Sequence, residues 1–219
     1  MYKFYLLLVI AALVTLSGGN VYAENWQVGE KWIYKHEGPR PYADSSAMVK
    51  GDRTVEVTAI KGEGEEKRYL LKNMWGSEDL NPSISYIDSN NMLHKLDIEY
   101  MFTLLIAPPV PVFWPLKPGE EKTLKTKMEI AGMSIPVEYV AKRMKDETIT
   151  VPAGKFEKCQ HVQIISSLQN ENGQTVKNKE EYWYHPKVRN LVKGVIITNY
   201  QGDNSYTSTN LLKSHTKKI

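Results

Sequence analysis

Apolar and polar residues alternate with a period of two along most of the chain beyond residue 24. In the run KTLKTKMEI (122–130), Leu124, Thr126, Met128 and Ile130 fall on one face, and the residues between them, mostly charged, fall on the other. A period of two is that of a strand with one buried face. The run therefore predicts a strand with one side in the core and the other in water.

Further runs repeat this alternation or are rich in β-branched and aromatic residues, which favour strands. They are RTVEVTAIK, KRYLLKNMW, SIPVEYVAK, CQHVQIISSL, LVKGVIITNY and SYTSTNLLKS. Short turn-forming sequences separate them: KGEGEE (61–66), DSNN (88–91), AGM (131–133), QNENGQ (169–174), HPKVRN (185–190) and QGDN (201–204). We therefore expect about ten or more strands. The predicted fold is mostly β, an antiparallel sheet forming either a sandwich or a partly closed barrel, with at most short helices.

Two overlapping segments depart from this pattern. IEYMFTLL (98–105) predicts a short helix. The run Phe102–Leu116 is uncharged and contains four prolines, which prevent most of it from forming a central strand or a regular helix. It can plug one end of the sheet with Phe113 and Trp114, cover a ligand cavity as an apolar flap, or present an exposed patch to a partner or membrane.

The N-terminus is typical of a secretory signal peptide. A single positive charge at Lys3 precedes an apolar run, and a looser stretch ends in Val-Tyr-Ala at residues 21–23. An uncleaved anchor is less consistent with the sequence, because a membrane-spanning helix needs about 20 apolar residues and this run is interrupted at residues 17–20. We expect cleavage after Ala23, a single mostly β domain over residues 24–219, and a periplasmic or extracellular location without a transmembrane segment.

Charge and cysteine content narrow the partners and the chemistry. The formal net charge is only +3, and removing residues 1–23 takes away just the charge of Lys3, so we expect no nucleic-acid partner. Cys159 is the only cysteine, so no intramolecular disulfide can form and no lipid can be attached near the cleavage site. The spacing of Cys159 and His161 could bring a thiol beside a base, but a buried apolar role for the cysteine is favoured.

The better-known catalytic motifs do not occur. The sequence contains no Gly-x-Ser-x-Gly elbow, no His-Glu-x-x-His helix, no P-loop and no glycine-rich dinucleotide turn. The histidines are scattered singly, without the spacing of compact zinc sites. Glu180 and Glu181 are adjacent on a predicted strand and point to opposite faces, so they cannot act as a pair. We therefore predict no catalytic residue, no metal and no cofactor.

The run EEYWYHPKVRNLVKGV (180–195) predicts a hairpin. Tyr182 and Tyr184 share a face with Glu180, so this aromatic set can pack on the sheet without performing chemistry. Pro186 ends the strand because it cannot donate to the ladder. Asn190 falls where the chain turns back, a position that tolerates left-handed geometry.

Three blocks carry a resemblance to a known family. They are WQVGEKWIYKHEG (26–38), ITVPAGKFEKCQHVQI (149–164) and YWYHPKVRNLVKG (182–194). Together they resemble a family of uncharacterised bacterial envelope proteins, the TapB-like proteins. The matching residues are Trp26, Gly29, Trp32, Tyr34, Val151, Pro152, Ala153, Gly154, Phe156, Cys159, Tyr182, Trp183, Pro186, Leu191 and Val192. The resemblance implies a sheet curled into a half-barrel, similar to carriers that hold lipid or lipoprotein acyl chains, and it transfers no catalytic residue.

The leading functional hypothesis is therefore a non-enzymatic envelope protein that binds an apolar or lipid-like ligand in its curved sheet. The residues expected to line or cover the ligand are Phe102, Leu104, Leu105, Ile106, Phe113 and Trp114. The first alternative is a structural or interaction module that docks onto an envelope protein in secretion or surface assembly. The second is a hydrolase assembled from carboxylates and histidines distant in sequence.

Overall fold

The computed structural model describes residues 26–39, 48–76, 81–169, 173–199 and 205–217. The predicted signal peptide and the predicted turn at 201–204 lie outside the described residues.

In the described part of the chain, the regular structure consists of thirteen β-strands and one short 3₁₀ helix. The strands are β1 (Lys31–Pro39), β2 (Met48–Lys61), β3 (Arg68–Trp75), β4 (Ser83–Asp88), β5 (Met92–Ile98), β6 (Phe102–Pro111), β7 (Glu121–Ile130), β8 (Met133–Arg143), β9 (Glu147–Val151), β10 (Gly154–Gln169), β11 (Thr175–His185), β12 (Asn190–Thr198) and β13 (Tyr206–Thr216). The 3₁₀ helix is Gly64–Glu66. The mostly β class predicted from the alternation is confirmed, as are the predicted turns at 61–66, 88–91, 131–133 and 185–190.

The sheet closes on itself. Each strand from β1 to β8 pairs antiparallel with the next, β8 pairs with β10, and β10 continues through β11, β12 and β13. The last strand then pairs with the first, with Lys31 opposite Thr216. The result is a barrel of twelve strands, with β9 added to one end of β10. The predicted half-barrel or sandwich is wrong in this respect, because closure depends on pairing between the chain's two ends, which no local pattern records.

The predicted helix at 98–105 is also wrong. Residues 99–101 form a turn, and the rest belong to the ends of β5 and β6. Leu104 is buried while Leu105 is exposed, the alternation of a strand rather than the period of a helix. The apolar residues of this segment belong to the ends of two strands that a tight turn connects.

The proline-rich run forms strand β6 as far as Pro111, contrary to the prediction, and residues 112–116 are irregular. β6 pairs with both β5 and β7, but the ladder to β7 ends at Ala107 opposite Lys127. On the other side, the pairing jumps from Leu105 opposite Lys95 to Val110 opposite Leu93. The prolines at 108 and 109 lie in this unpaired bulge, where a missing N–H costs no ladder hydrogen bond. The peptide bond before Pro108 is cis.

The hairpin predicted at 180–195 is confirmed, with one correction. β11 and β12 pair antiparallel, with His185 opposite Asn190. The left-handed residue of the turn is Arg189, at φ 55°, and not Asn190. Asn190 is instead the buried first residue of β12, and its Oδ1 accepts a hydrogen bond from Leu191 N at 2.8 Å.

The end of the barrel at which β1 begins is here called the lower end, and the opposite end the upper end. The β9–β10 hairpin crosses the lower end. Its turn contacts β13, where Ala153 N donates to Leu212 O at 3.0 Å, and Phe156 meets the ring of His185 edge-on at 5.4 Å. The lower end is therefore covered by protein. Within the residues that the structure describes, no helix is long and apolar enough to cross a membrane.

Candidate functional site

The lower part of the barrel interior is filled by an aromatic cluster, called here the aromatic floor. Trp26 meets Trp32 at 5.8 Å between ring centroids, Tyr69 at 5.6 Å and Phe113 at 6.1 Å, all edge-on. Phe113 also meets Tyr184 edge-on at 5.7 Å. Such pairs add about 0.5–1.5 kcal/mol beyond the burial of their area. The floor therefore closes the lumen from below with rigid rings.

A buried carboxylate holds the floor in place. Glu30 is fully buried, and its oxygens lie 2.5 Å from Arg189 Nη2 and 2.9 Å from His215 Nε2. The ring of His215 stacks on Trp32 with an interplanar angle of 2°. This ion pair ties the segment before β1 to the β11–β12 turn and to the end of β13. Burying a charged group without such partners is costly.

The same contacts explain the sequence blocks that carried the resemblance. The indole of Trp26 donates to Arg189 O at 3.2 Å, and that of Trp32 donates to Val188 O at 2.8 Å. Tyr34 Oη donates to Leu191 O at 3.3 Å. The first and last blocks therefore bond to each other, and the middle block forms the β9–β10 hairpin that covers them. Their shared pattern is accounted for by folding of the lower end.

The six residues predicted to line a ligand do not all face the interior of the barrel. Four of them are buried. These are Leu104, Ile106, Phe113 and Trp114. Phe113 belongs to the aromatic floor and Trp114 packs against Tyr139, as in the predicted plug. Leu105 is 46% exposed on the outer surface, and Phe102 is half-buried at the upper end of β6.

Above the floor, strands β5 to β8 present an apolar wall to the lumen. Its buried side chains belong to the inward-facing residues of these strands. They are Leu96, Leu104, Ile106, Met128, Ile130 and Val137. Two of the predicted ligand residues are therefore neighbours on one apolar surface inside the barrel.

The facing strands, β10 to β13 and β1 to β4, present a polar wall. Arg53 is its most buried cation, donating to Asn73 Oδ1 at 2.7 Å and to Asn210 Oδ1 at 3.4 Å. The guanidinium also lies over the rings of Trp75, at 5.3 Å, and Tyr34, at 5.9 Å. Charged and amide groups thus face the lumen from positions where a simple core would place aliphatic residues.

His36 belongs to the same wall and is neutral at physiological pH. Burial, followed by the nearby charge of Arg53, lowers the pKa of His36 to about 4. Its Nδ1 lies 3.1 Å from Asn210 Oδ1, an acceptor, so Nδ1 carries the proton. Nε2 is then a buried acceptor, and it has no hydrogen-bond partner among the described residues.

The second part of the polar wall centres on Glu180, which is fully buried. Tyr182 Oη donates to Glu180 Oε2 at 2.7 Å, and Ser166 Oγ lies 3.4 Å from Oε1. Burial raises the pKa of Glu180 to about 8, against the lowering effect of these two hydrogen bonds. The carboxyl group is therefore mainly neutral at pH 7. Burial also raises the pKa of Tyr139, and the neighbouring Glu180 adds to that shift.

Buried polar atoms without partners concentrate on these surfaces. Within the described residues they include His36 Nε2, Ser85 Oγ, Tyr139 Oη and Asn178 Nδ2. Many inward side chains of the polar wall are also small, with serines at 83, 85 and 166. About eight strands already enclose enough space for side chains or one small ligand, and twelve enclose more. The upper lumen, bounded by one apolar and one polar wall, is the candidate site.

The polar wall was not predicted from the sequence, although the faces of two of its residues were. The strand period assigned Glu180 and Tyr182 to one face, and the structure confirms this. The signal that could have found the site is the polarity of inward positions. Asn178 and Glu180 share the face of two tyrosines, where a simple core strand would have apolar residues.

Cys159 and His161 do not form a nucleophilic pair. The thiol of Cys159 is buried, it donates to Phe156 O at 3.4 Å, and burial raises its pKa to about 11. It is therefore not a thiolate at neutral pH. His161 lies outside the lumen, where it bonds to Glu147 at 3.0 Å and stacks on Trp183 at 4.4 Å. The favoured role of Cys159 as a small buried residue agrees with this environment.

His185, at the end of β11, also makes contacts that are structural. Burial, the largest effect, lowers its pKa, and its Nδ1 accepts a hydrogen bond from Lys187 N at 3.3 Å. Its ring packs against Phe156. The contact with Phe156 holds the β9–β10 hairpin against the lower end of the barrel.

An open depression of about 370 Å³ lies near the upper rim, over strands β7, β8, β10 and β11. Its lining residues are Lys125, Thr126, Pro136, Val137, Glu138, Ser167, Leu168, Gln169 and Thr175. None of the six predicted ligand residues lines it. Val137 of the apolar wall is among its lining residues, so the depression borders that wall.

A closed barrel with an interior of mixed polarity is the class of protein that these observations define. No protein-family model and no curated protein matches the chain. Two solved structures resemble it: a protein assigned as exported, with a YmcC-like fold, from Bacteroides fragilis, and one assigned as a lipoprotein from Parabacteroides distasonis. The first is 14% identical with a TM-score of 0.54 and covers 93% of this chain and 100% of its own. The second is 13% identical with a TM-score of 0.55 and covers 90% of this chain and 100% of its own.

At these identities the likeness establishes the fold alone. It relates the chain in architecture to exported bacterial proteins, in agreement with the general expectation drawn from the sequence. The more specific name of a TapB-like family has no support from these comparisons.

Proposed function

We propose that this chain is a non-enzymatic binding protein of the bacterial envelope that holds an amphipathic, lipid-like ligand in the upper lumen of its barrel. The observation that carries the proposal is the contrast between the walls. Leu104 and Ile106 belong to an apolar wall, and Tyr139, Asn178 and Glu180 offer polar groups to the same interior. A ligand with one apolar and one polar part satisfies both surfaces.

The unpaired polar atoms support an occupant. Leaving a buried donor or acceptor without a partner costs about 1–3 kcal/mol. Several such atoms face the lumen, among them Tyr139 Oη and Asn178 Nδ2. A ligand that supplies their hydrogen-bond partners would recover this free energy, whereas an aliphatic ligand alone would not. The likeness in fold to exported proteins supports an envelope location.

Within this proposal, the apolar part of the ligand contacts Leu104 and Ile106 and rests above Phe113 and Trp114. Leu105 points away from the lumen and is exposed, so it provides a control on the same strand. Phe102, at the upper end of β6, borders the entrance.

Native mass spectrometry of residues 24–219, purified from an exporting bacterial host, tests the proposal. The expected result is a mass above that of the polypeptide, with a lipid recovered by organic extraction. Leu104→Phe narrows the lumen and should abolish lipid retention, whereas Leu105→Phe on the outer surface should retain it. A mass equal to that of the polypeptide, unchanged after incubation with envelope lipids, would contradict the proposal.

A second candidate function, an interaction module, is favoured by one observation. Tyr100 is 95% exposed in a left-handed turn, at φ 64°, and Met101 beside it is exposed. Met133, exposed on the β7–β8 hairpin, lies two strands away at the same end. Association that depends on protein concentration and is lost in Tyr100→Ser, as measured by analytical ultracentrifugation, would favour this function.

A further inference from the structure

Where β8 adjoins the polar wall, the interior contains a group of side chains suited to the polar end of a ligand. We infer that Tyr139, Asn178 and Glu180 form a headgroup site that selects a carboxylic acid, so that the ligand is a fatty acid or a molecule with the same headgroup. This inference rests on the proposed function and specifies the chemistry of the same lumen.

Strand pairing brings the three side chains together. Tyr139 on β8 lies opposite Ser166 on β10, and Ser166 lies opposite Asn178 on β11. Glu180 follows Asn178 by two positions and therefore shares its face. All four residues are almost fully buried. The site is thus built on three adjacent strands, which hold its geometry more firmly than loops would.

The hydrogen-bond inventory of the site leaves donors in excess. Asn178 Oδ1 accepts a hydrogen bond from Asn199 N at 3.1 Å, so the amide oxygen is occupied while Nδ2 remains unpaired. Tyr139 Oη has no partner among the described residues. Neutral Glu180 adds a third donor, its acidic O–H. A ligand for these groups must supply acceptor oxygens.

A carboxylate meets this need better than other common lipid headgroups. It carries two oxygens with about four acceptor positions, and its hydrogen bonds are roughly twice as strong as those between neutral groups. An ammonium group offers only donors, so it would leave Asn178 Nδ2 without a partner. An alcohol can accept, but without charge assistance.

The charges around Glu180 also favour an acid. The titratable groups nearest to it are Tyr139 from β8 and Tyr182 from its own strand, both neutral at physiological pH. β10 contributes Ser166, and β12 places Ile196 opposite. Beyond Tyr182 lies Arg53, whose positive charge acts on the tyrosine. An anion therefore enters a site that contains a neutral acid and has a cation at its far side.

The affinity of this site for a carboxylate should depend on pH. In the ligand-free protein, Glu180 ionises near pH 8. Binding a carboxylate requires the neutral form, because two carboxylates in contact repel each other. Above pH 8, binding must therefore take up a proton, and the affinity at pH 9 should be about tenfold lower than at pH 7. Glutamine resembles the neutral acid and cannot ionise, so Glu180→Gln should bind equally at both pH values.

Isothermal titration calorimetry of delipidated protein with lauric acid, lauryl alcohol and laurylamine tests this headgroup selection, because the three probes share one tail. Wild type should bind lauric acid more tightly than the other two probes. Glu180→Gln should retain that binding at pH 7 and lose the tenfold decrease at pH 9. Glu181→Gln, which changes the adjacent carboxylate on the outer surface, is the matched control and should behave as wild type.

The possible outcomes distinguish the headgroup site from lipid binding as such. Binding of all three probes with equal affinity, preferential binding of laurylamine, or the same pH dependence in wild type and Glu180→Gln would overturn the headgroup site and leave lipid binding intact. Failure of wild type to bind any probe would overturn both. If Glu180→Gln does not fold, Tyr139→Phe provides a second measurement. Removing that hydroxyl should weaken lauric acid binding roughly tenfold or more and leave lauryl alcohol less affected.

Discussion

The burial of Glu180 should make the stability of the protein decrease as pH rises, and Glu180→Gln should remove this effect. The ordinary pKa of the carboxyl group is 4.5, and the folded state raises it to about 8. Between these values the unfolded chain is ionised while the native carboxyl group keeps its proton. Unfolding then releases a proton, so rising pH favours the unfolded state.

The magnitude follows from the size of the shift. Each unit of difference in pKa corresponds to about 1.4 kcal/mol. The free energy of unfolding should therefore fall by about 3 kcal/mol between pH 4.5 and pH 7, and by about 4 kcal/mol between pH 4.5 and pH 8. This is a large part of the 5–15 kcal/mol typical of a domain. Below pH 4.5 the contribution disappears, because both states are protonated.

Urea denaturation of delipidated protein between pH 4 and pH 8.5, followed by tryptophan fluorescence, measures the effect. Glu180→Gln should match wild type near pH 4 and become more stable by about 3 kcal/mol at pH 7. Glu181→Gln controls for the loss of a carboxylate. Although partial burial acts in the other direction, hydrogen bonds from Lys179 and Gln163 lower the pKa of Glu181, so it stabilises the fold above pH 4.5. Parallel stability curves for wild type and Glu180→Gln would refute the reasoning.

Three further predictions concern packing, reactivity and surface. Gly194→Ala should lower the free energy of unfolding by about 1–3 kcal/mol, because the added Cβ would lie 3.3 Å from the ring of Tyr182. Gly51→Ala, with no atom within 4 Å, should be neutral in the same thermal denaturation assay. The thiol of Cys159 should not react with a thiol reagent in the native state and should react on unfolding, as absorbance would show. Tyr100→Ser should leave the melting temperature unchanged, because the side chain is 95% exposed.

The sequence predicted the strands because the alternation of residues reports local burial. The run at 122–130 became β7, with Thr126, Met128 and Ile130 buried as expected. The same alternation placed Glu180 and Tyr182 on one face. It was misread at 98–105, where two strand ends and a turn together resembled a helix. Pro108 and Pro109 were misread because a bulge in β6 accommodates them without loss of ladder hydrogen bonds.

The candidate site was predicted only in part. Leu104 and Ile106 were selected from an uncharged run, and both face the barrel interior. The polar partners across the lumen were not selected, because they lie on strands far away in sequence. Tyr139 and Asn178 come together only through their pairing with Ser166 on β10. No local pattern reports that three side chains from three strands share one buried space.

The sequence by itself determined the mostly β class, the approximate positions of the strands and the face on which most side chains fall. These properties depend on the two-residue period of a strand and on turn residues, both of which act locally. Only the tertiary structure decided that the sheet closes through pairing of Lys31 with Thr216, and that a polar wall faces an apolar one. Closure depends on register accumulated over twelve strands, so it emerges only when the whole chain is folded.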